Sequence, residues 1–279
     1  MARALFYFLI LIMLNGCDSS DGTDGIETDP ITPPITDGNW YRPAVSVTWQ
    51  WQLQSDINTS YPVDIYDLDL FDSSETLIQT LQDSGKKVIC YFSAGSYEQW
   101  RIDATQFSDI DLGNLMEDWI GERWLDIRSD NVRSIMLNRL DLAKQKNCDG
   151  VEPDNMDGYF NNSGFNFTVS EQLNYNRFIA NESHSRGLSV GLKNDLNQVD
   201  LLVNYFDFAV NEMCFEFSEC DLLTPFINQD KPVLNAEYKT NYINDESSRQ
   251  KLCDNSINRQ FSTIILPREL DDLFRFNCI

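Results

Sequence analysis

From Cys148 to Phe160 the chain reads C-D-G-V-E-P-D-N-M-D-G-Y-F, a strand that ends in acids. Residues 149–153 have the length and apolar start of a short strand, yet Glu152, Asp154 and Asp157 crowd its exit with Asn155 among them. Pro153 cannot donate to a sheet ladder, so the chain is expected to leave the sheet there. Polar groups delivered at the C-terminal end of a strand are what the mouth of a parallel α/β barrel requires.

The flanks agree. Before the stretch, Val132, Ile135, Met136, Leu140 and Ala143 fall on one face of a helix expected over Asn131 to Asn147. After it, Thr168 and Glu171 form a capping box that opens a second helix, which stops at Gly187. Further strands are expected at 45–53, 63–70, 87–93, 188–193, 206–211, 232–236 and 262–266. Eight strand–helix units over about 235 residues fit a single-domain, closed (β/α)8 TIM-type barrel, typically about 250 residues. The rival, an open doubly wound sheet, lacks a Gly-x-Gly-x-x-Gly turn to seat a dinucleotide.

In such a barrel reactive residues should gather at the strand ends. Those ends carry Gln52, Asp67, Asp69, Ser93, Asp154, Asn155, Lys193, Asn194, Asn211, Glu212, Glu237 and Tyr238. Burying so many polar groups costs free energy unless they are paired, so stability alone does not explain the set.

Charge and composition narrow the chemistry. Against 21 Lys+Arg stand 44 Asp+Glu, a net charge of −23, which disfavours nucleic acid as a partner. Solvation of the surface accounts for most of these acids, although an acidic cleft would also concentrate a cationic substrate. The single histidine, His184, lies in a helical pattern and reads as a surface or packing residue. Its isolation excludes Ser-His-Asp, Cys-His and multi-histidine zinc arrangements, so acid–base work falls to carboxylates. No metal and no cofactor is expected.

The N-terminus points to export. Arg3, an apolar run from Ala4 to Leu14, and then L-N-G-C up to Cys17 resemble a bacterial lipoprotein signal. That resemblance implies a signal peptide over 1–16 and lipid on Cys17; a polar Gly/Pro-rich tether follows over 17–39, and the folded barrel domain is expected over 40–279. The expected location is the bacterial cell envelope, periplasmic or outer surface, with the membrane reached through the lipid and the protein a monomer. Six cysteines then remain for an oxidising compartment. Cys214 with Cys220 closes a short loop after Glu212, Cys253 with Cys278 ties down the C-terminus, and Cys90 and Cys148 are left to each other or to buried thiols.

Two carboxylates facing each other across a barrel mouth suit glycoside hydrolysis, which needs a proton donor and a nucleophile or base. Asp154 pairs in outline with Glu212 on the sixth strand or with Glu237 on the seventh, and periodicity does not choose. Glu152 points to the same side as Asp154 but deeper, as support. Aromatic residues near the strand ends, among them Trp51, Tyr91, Trp100, Trp119 and Tyr238, include candidates for stacking on sugars.

The runs K-V-I-C-Y-F-S-A-G-S-Y-E-Q-W-R-I-D (87–103), G-E-R-W-L-D-I-R (121–128), C-D-G-V-E-P-D-N-M-D-G-Y (148–159), G-L-K-N-D (191–195) and N-E-M-C-F-E-F-S-E-C (211–220) resemble glycoside hydrolase family 114, the endo-α-1,4-polygalactosaminidases. The resemblance spans Trp49 to Leu266. It implies a barrel that cleaves internal α-1,4 linkages in galactosamine- and N-acetylgalactosamine-containing biofilm polymer. It places the catalytic acids on Asp154, in P-D-N, and Glu212, in N-E-x-C, with a retaining mechanism in which Asp154 is nucleophile and Glu212 acid/base. Asp69, Tyr91, Asn155, Lys193, Asn194, Glu237 and Tyr238 then become substrate-binding candidates. De-N-acetylated galactosamine is a polycation, and Asp67, Asp69, Glu152 and Glu237 are expected to meet its ammonium groups. A non-catalytic carbohydrate-binding barrel and a hydrolase of another α-linked polysaccharide are the alternatives.

Overall fold

The structure is a computed structural model that describes residues 32–279. The expected signal peptide, Cys17 and the first part of the tether lie outside the described residues. In chain order the elements are β1 (Trp49–Gln52), β2 (Ile65–Asp69), α1 (Glu75–Asp83), β3 (Lys87–Ser93), β4 (Ser96–Glu98), β5 (Leu112–Leu115), β6 (Glu122–Leu125), α2 (Asp130–Gln145), β7 (Gly150–Asp154) and α3 (Val169–Ser185). They continue with β8 (Ser189–Lys193), α4 (Val199–Leu202), β9 (Phe208–Glu212), α5 (Cys214–Phe217), α6 (Thr224–Ile227), β10 (Val233–Glu237), α7 (Thr240–Asn244), α8 (Glu246–Asn258), β11 (Ser262–Ile265) and β12 (Phe276–Asn277).

All eight expected strands form, parallel and in sequence order, as β1-β2-β3-β7-β8-β9-β10-β11. Period-2 alternation sorts their side chains into two cores. Trp49, Trp51, Ile65, Ile89, Phe208, Val210, Leu234, Ala236 and Ile264 fill the inside of the barrel. Tyr66, Leu68, Val88, Cys90, Phe92, Val151, Val190, Leu192 and Val233 pack outward with helix residues such as Ile135, Leu140 and Ile179. Gly191 is small because an added Cβ would stand 2.4 Å from the Phe208 ring.

The barrel departs from regular strand–helix units in three ways. No helix joins β1 to β2, and β11 is followed by the antiparallel β12. The first and last parallel strands share no ladder among the described residues. Side chains make that seam: the Trp49 indole donates to the Ser262 carbonyl at 2.8 Å, and the Arg275 guanidinium to the Trp49 carbonyl at 2.7 Å. Lastly, an antiparallel sheet in the order β4-β6-β5 is inserted between β3 and α2.

Helix starts follow local chemistry. Ser129 caps α2 through the Val132 N–H, and Thr168 caps α3 through Glu171 in the expected capping box. β7 passes through Pro153 on its β3 side, pairing as far as Ser93 with Asp154, whereas its pairing with β8 ends at Val151 with Val190. The prolyl residue therefore sits where only one neighbour is still paired.

Residues 32–39 are not free tether. The Tyr205 hydroxyl donates to the Thr32 carbonyl, the Asn181 amide to the Pro33 carbonyl, and the Ile35 N–H to Asn181 Oδ1. Composition reads this segment as polar linker because its partners lie almost 150 residues or more away in the chain. His184 is a packing residue, as expected. It is buried, stacks on Trp40 with centroids 4.2 Å apart, and meets Asp207 at 2.9 Å.

Disulfides join Cys90 to Cys148, Cys214 to Cys220, and Cys253 to Cys278. The first ties β3 to the start of β7. The second closes the turn that follows Glu212.

Candidate active site

Along the inward rows of the strands, apolar residues give way to charge toward the C-terminal end. Ile65 leads to Asp67 and Asp69, Gly150 to Glu152 and Asp154, Gly191 to Lys193, and Phe208 and Val210 to Glu212. The upper members of these rows open into a cavity of about 420 Å³, walled also by Trp51, Tyr91, Trp100 and Trp119.

Lys193 is the hub. Its side chain is 1% exposed, and its ammonium lies 3.1 Å from Glu152, 3.0 Å from Asp154 Oδ1 and 3.5 Å from Glu212 Oε2. Burial pulls the ammonium toward neutrality, but Asp154, Glu152 and Glu212 outweigh it and hold the group well above its ordinary value. The two expected acids therefore share one cation. Their contacts to it, 3.0 and 3.5 Å, keep these two oxygens within the 6.5 Å that those distances add up to.

Each acid has its own set of donors. Asp154 receives the Tyr91 hydroxyl at 3.0 Å and the Asn155 N–H at 2.6 Å. Glu212 receives the Tyr238 hydroxyl at 2.7 Å and the Asn194 amide at 3.2 Å. Burial, then the neighbouring carboxylates, push both tyrosines well above their usual range, so they remain donors. Asn155, Asn194 and Met213 all adopt left-handed backbone just past their strands, with φ of 59°, 48° and 61°. Asparagine tolerates that region and is one signal of such a turn. Gly95 lets the loop after β3 lie against this turn, since an added Cβ would stand 1.7 Å from the Asn155 carbonyl oxygen.

Beneath the pair, Glu152 and Asp67 are fully buried. Burial and the Glu152 charge hold the Asp67 carboxyl well above the usual range. Burial likewise pushes Glu152 up to about 7, with Lys193 opposing and Asp154 assisting. Among the described residues none other than Glu152 offers Asp67 a hydrogen bond, so one proton held between the two carboxyl groups is the arrangement that satisfies both.

The candidate binding residues divide. Asp69 reaches the cavity but is consumed by Arg101, whose two nitrogens lie 3.0 and 2.6 Å from its oxygens. Tyr91, Asn155, Lys193 and Asn194 line the cavity, while Tyr238 acts on it through Glu212. Glu237 is not brought there. Ala236 points inward, so alternation turns Glu237 outward, where it is buried and accepts the Phe215 N–H at 2.9 Å.

Sequence reading gave no role to Glu98, Arg101, Glu122, Asp157 or Arg268, which also line the cavity. The first three come from the inserted sheet and its loops. Only the repeated acids and aromatics of S-Y-E-Q-W-R and G-E-R-W could have signalled them.

A parallel barrel whose mouth sets two partly exposed carboxylates on a shared cation, inside an aromatic-walled cavity, has the equipment of a glycosidase. The chain belongs to glycoside hydrolase family GH114, which it matches over residues 31–278. It is similar to Aspergillus fumigatus Ega3, solved in complex with galactosamine: 41% identity, 87% of this chain and 99% of that one covered, TM-score 0.81. The glycoside hydrolase domain of PelA from Pseudomonas aeruginosa shares the fold at 11% identity, covering 81% of this chain and 96% of its own, TM-score 0.64. No curated protein sequence matches the chain.

Proposed function

We propose that this glycosidase cleaves internal α-1,4 linkages of a galactosamine-containing polysaccharide, with retention, using Asp154 as nucleophile and Glu212 as acid/base. The observation that carries the reading is the pairing of both acids on Lys193 within 6.5 Å. Retention suits carboxyl groups about 5–5.5 Å apart and inversion about 6.5–9.5 Å, and a shared contact on Lys193 is compatible with the retaining spacing. The likeness to Ega3 with its bound galactosamine supports the sugar.

Charge supports this division of roles. Lys193 stands closer to Asp154 than to Glu212, and Asp154 also takes a backbone N–H, so its anion is the better stabilised of the two. Asp154 attacks the anomeric carbon while Glu212 gives its proton to the departing glycosidic oxygen. Glu212 then takes a proton from water, whose oxygen displaces Asp154 from the sugar. Lipid on Cys17 would tether this activity to the cell envelope, a reading supported by Arg3, the apolar run from Ala4 to Leu14 and the L-N-G-C that ends it.

Defined galactosamine oligomers test the proposal. Wild type is expected to release shorter oligomers with retained α configuration by NMR at early times, and Asp154→Asn to lose at least about 10³-fold in kcat. Initial β products would overturn retention, and cleavage by Asp154→Asn at the wild-type rate would remove the nucleophile.

A further inference from the structure

The acids first expected to receive the substrate's ammonium groups are occupied or turned away. Asp69 is held by Arg101, Asp67 and Glu152 lie buried beneath the reacting pair, and Glu237 faces outward. The inserted sheet supplies a different candidate. Glu122, at the start of β6, lines the cavity and is 8% exposed. Its one side-chain donor is the Ser96 hydroxyl, at 2.7 Å on Oε2. Among the described residues no cation stands within ion-pair distance of it. Glu98, the other acid of this wall, has Arg101 at 2.7 Å.

A carboxylate buried to this degree without a counter-charge is costly unless something arrives to pair with it. The neighbourhood makes matters worse. Burial first, then the charges of Glu98 and Asp154, push Glu122 up to about 7, with the Ser96 hydroxyl and Arg101 in opposition. The carboxylate is also tied to the reacting centre. Ser96 Oγ, which it holds, lies 3.3 Å from the Asn155 amide, and the Asn155 N–H is the donor on Asp154.

We infer that Glu122 receives the 2-ammonium group of a galactosamine unit bound beside Asp154, and so selects de-N-acetylated sugar at that position. An arriving ammonium pairs with the carboxylate and holds it ionised, whereas a neutral N-acetyl group offers it no counter-charge. The inference rests on the galactosamine reading above and assigns its specificity to one side chain.

The test compares wild type, Glu122→Gln and Glu122→Asp on fully de-N-acetylated and fully N-acetylated galactosamine oligomers of equal length. The readout is the ratio of kcat/KM between the two substrates, which does not depend on the fraction of protein that folds. In wild type the ratio favours the de-N-acetylated oligomer. In Glu122→Gln it is expected to fall roughly 10- to 100-fold, chiefly through KM, with part of the preference kept in Glu122→Asp. An unchanged ratio in Glu122→Gln overturns the inference while leaving the enzyme a galactosaminidase. Wild type that cleaves neither oligomer overturns the substrate reading and the inference with it.

Discussion

Two clusters of buried acids meet at the barrel mouth, one gathered on Lys193 and the other on Arg101 and Arg139. Around Lys193 a single ammonium serves Glu152, Asp154 and Glu212. Around the arginines, each guanidinium forks onto a carboxylate: Arg101 onto Asp69 at 3.0 and 2.6 Å, Arg139 onto Asp103 at 2.8 and 3.0 Å. Arg101 also holds Glu98 at 2.7 Å, and Arg139 donates to the Ser93 carbonyl at 2.6 Å. Planar forks saturate the carboxylate oxygens and bolt the inserted sheet to β2, β3 and α2. A compact ammonium can be shared, which leaves acids short of positive charge and open to the cavity. One set of buried charges thus makes a wall, and the other makes a site.

Removing each cation in turn breaks the comparison most sharply. Lys193→Met strands three carboxylates around an apolar side chain. It should cost about 3–5 kcal/mol of stability and lower kcat/KM by roughly 10³-fold. The acid limb of its pH–rate profile should move to higher pH, because carboxylates deprived of the ammonium hold protons more tightly. Arg139→Met should cost a similar 3–5 kcal/mol in urea unfolding, yet change kcat/KM of the folded protein by less than about tenfold. Equal losses of activity in the two variants would erase the distinction between wall and site.

Smaller effects sharpen it. Tyr238→Phe removes one hydrogen bond to Glu212 and should lower kcat about tenfold with little change in Tm. The smallest signal is in the pH dependence of stability. Glu152 is raised from the ordinary 4.5 to about 7 in the folded protein, so the folded state binds the extra proton between those values. Its stabilisation is complete below about pH 4.5 and is lost as pH rises through about 7. Tm measured from pH 5 to pH 8 should therefore fall, and Glu152→Gln should flatten that fall by a few degrees.

Much of the fold was legible because its signals are local. Eight apolar runs became eight strands, and the Thr168–Glu171 capping box began a helix where it was expected. Of the site, Asp154 and Glu212 converge as anticipated. Glu237 did not follow, although strict alternation from Tyr238 already separates their faces. The inserted β4-β6-β5 sheet escaped because its strands are three or four residues long and spaced by loops without clear periodicity. Asp69, read as a sugar ligand, turned out to hold Arg101, a partner 32 residues away that no local pattern links to it.

The amino-acid order by itself determined the eight parallel strands, the caps, the cysteine set and the acids at the strand ends, since these depend on neighbours a few residues apart. Tertiary structure alone decided which acids receive a cation. That choice is made by side chains arriving from separate strands and from the insertion, and in a buried mouth it is the distance between charges that sets which carboxylates are satisfied and which wait for substrate.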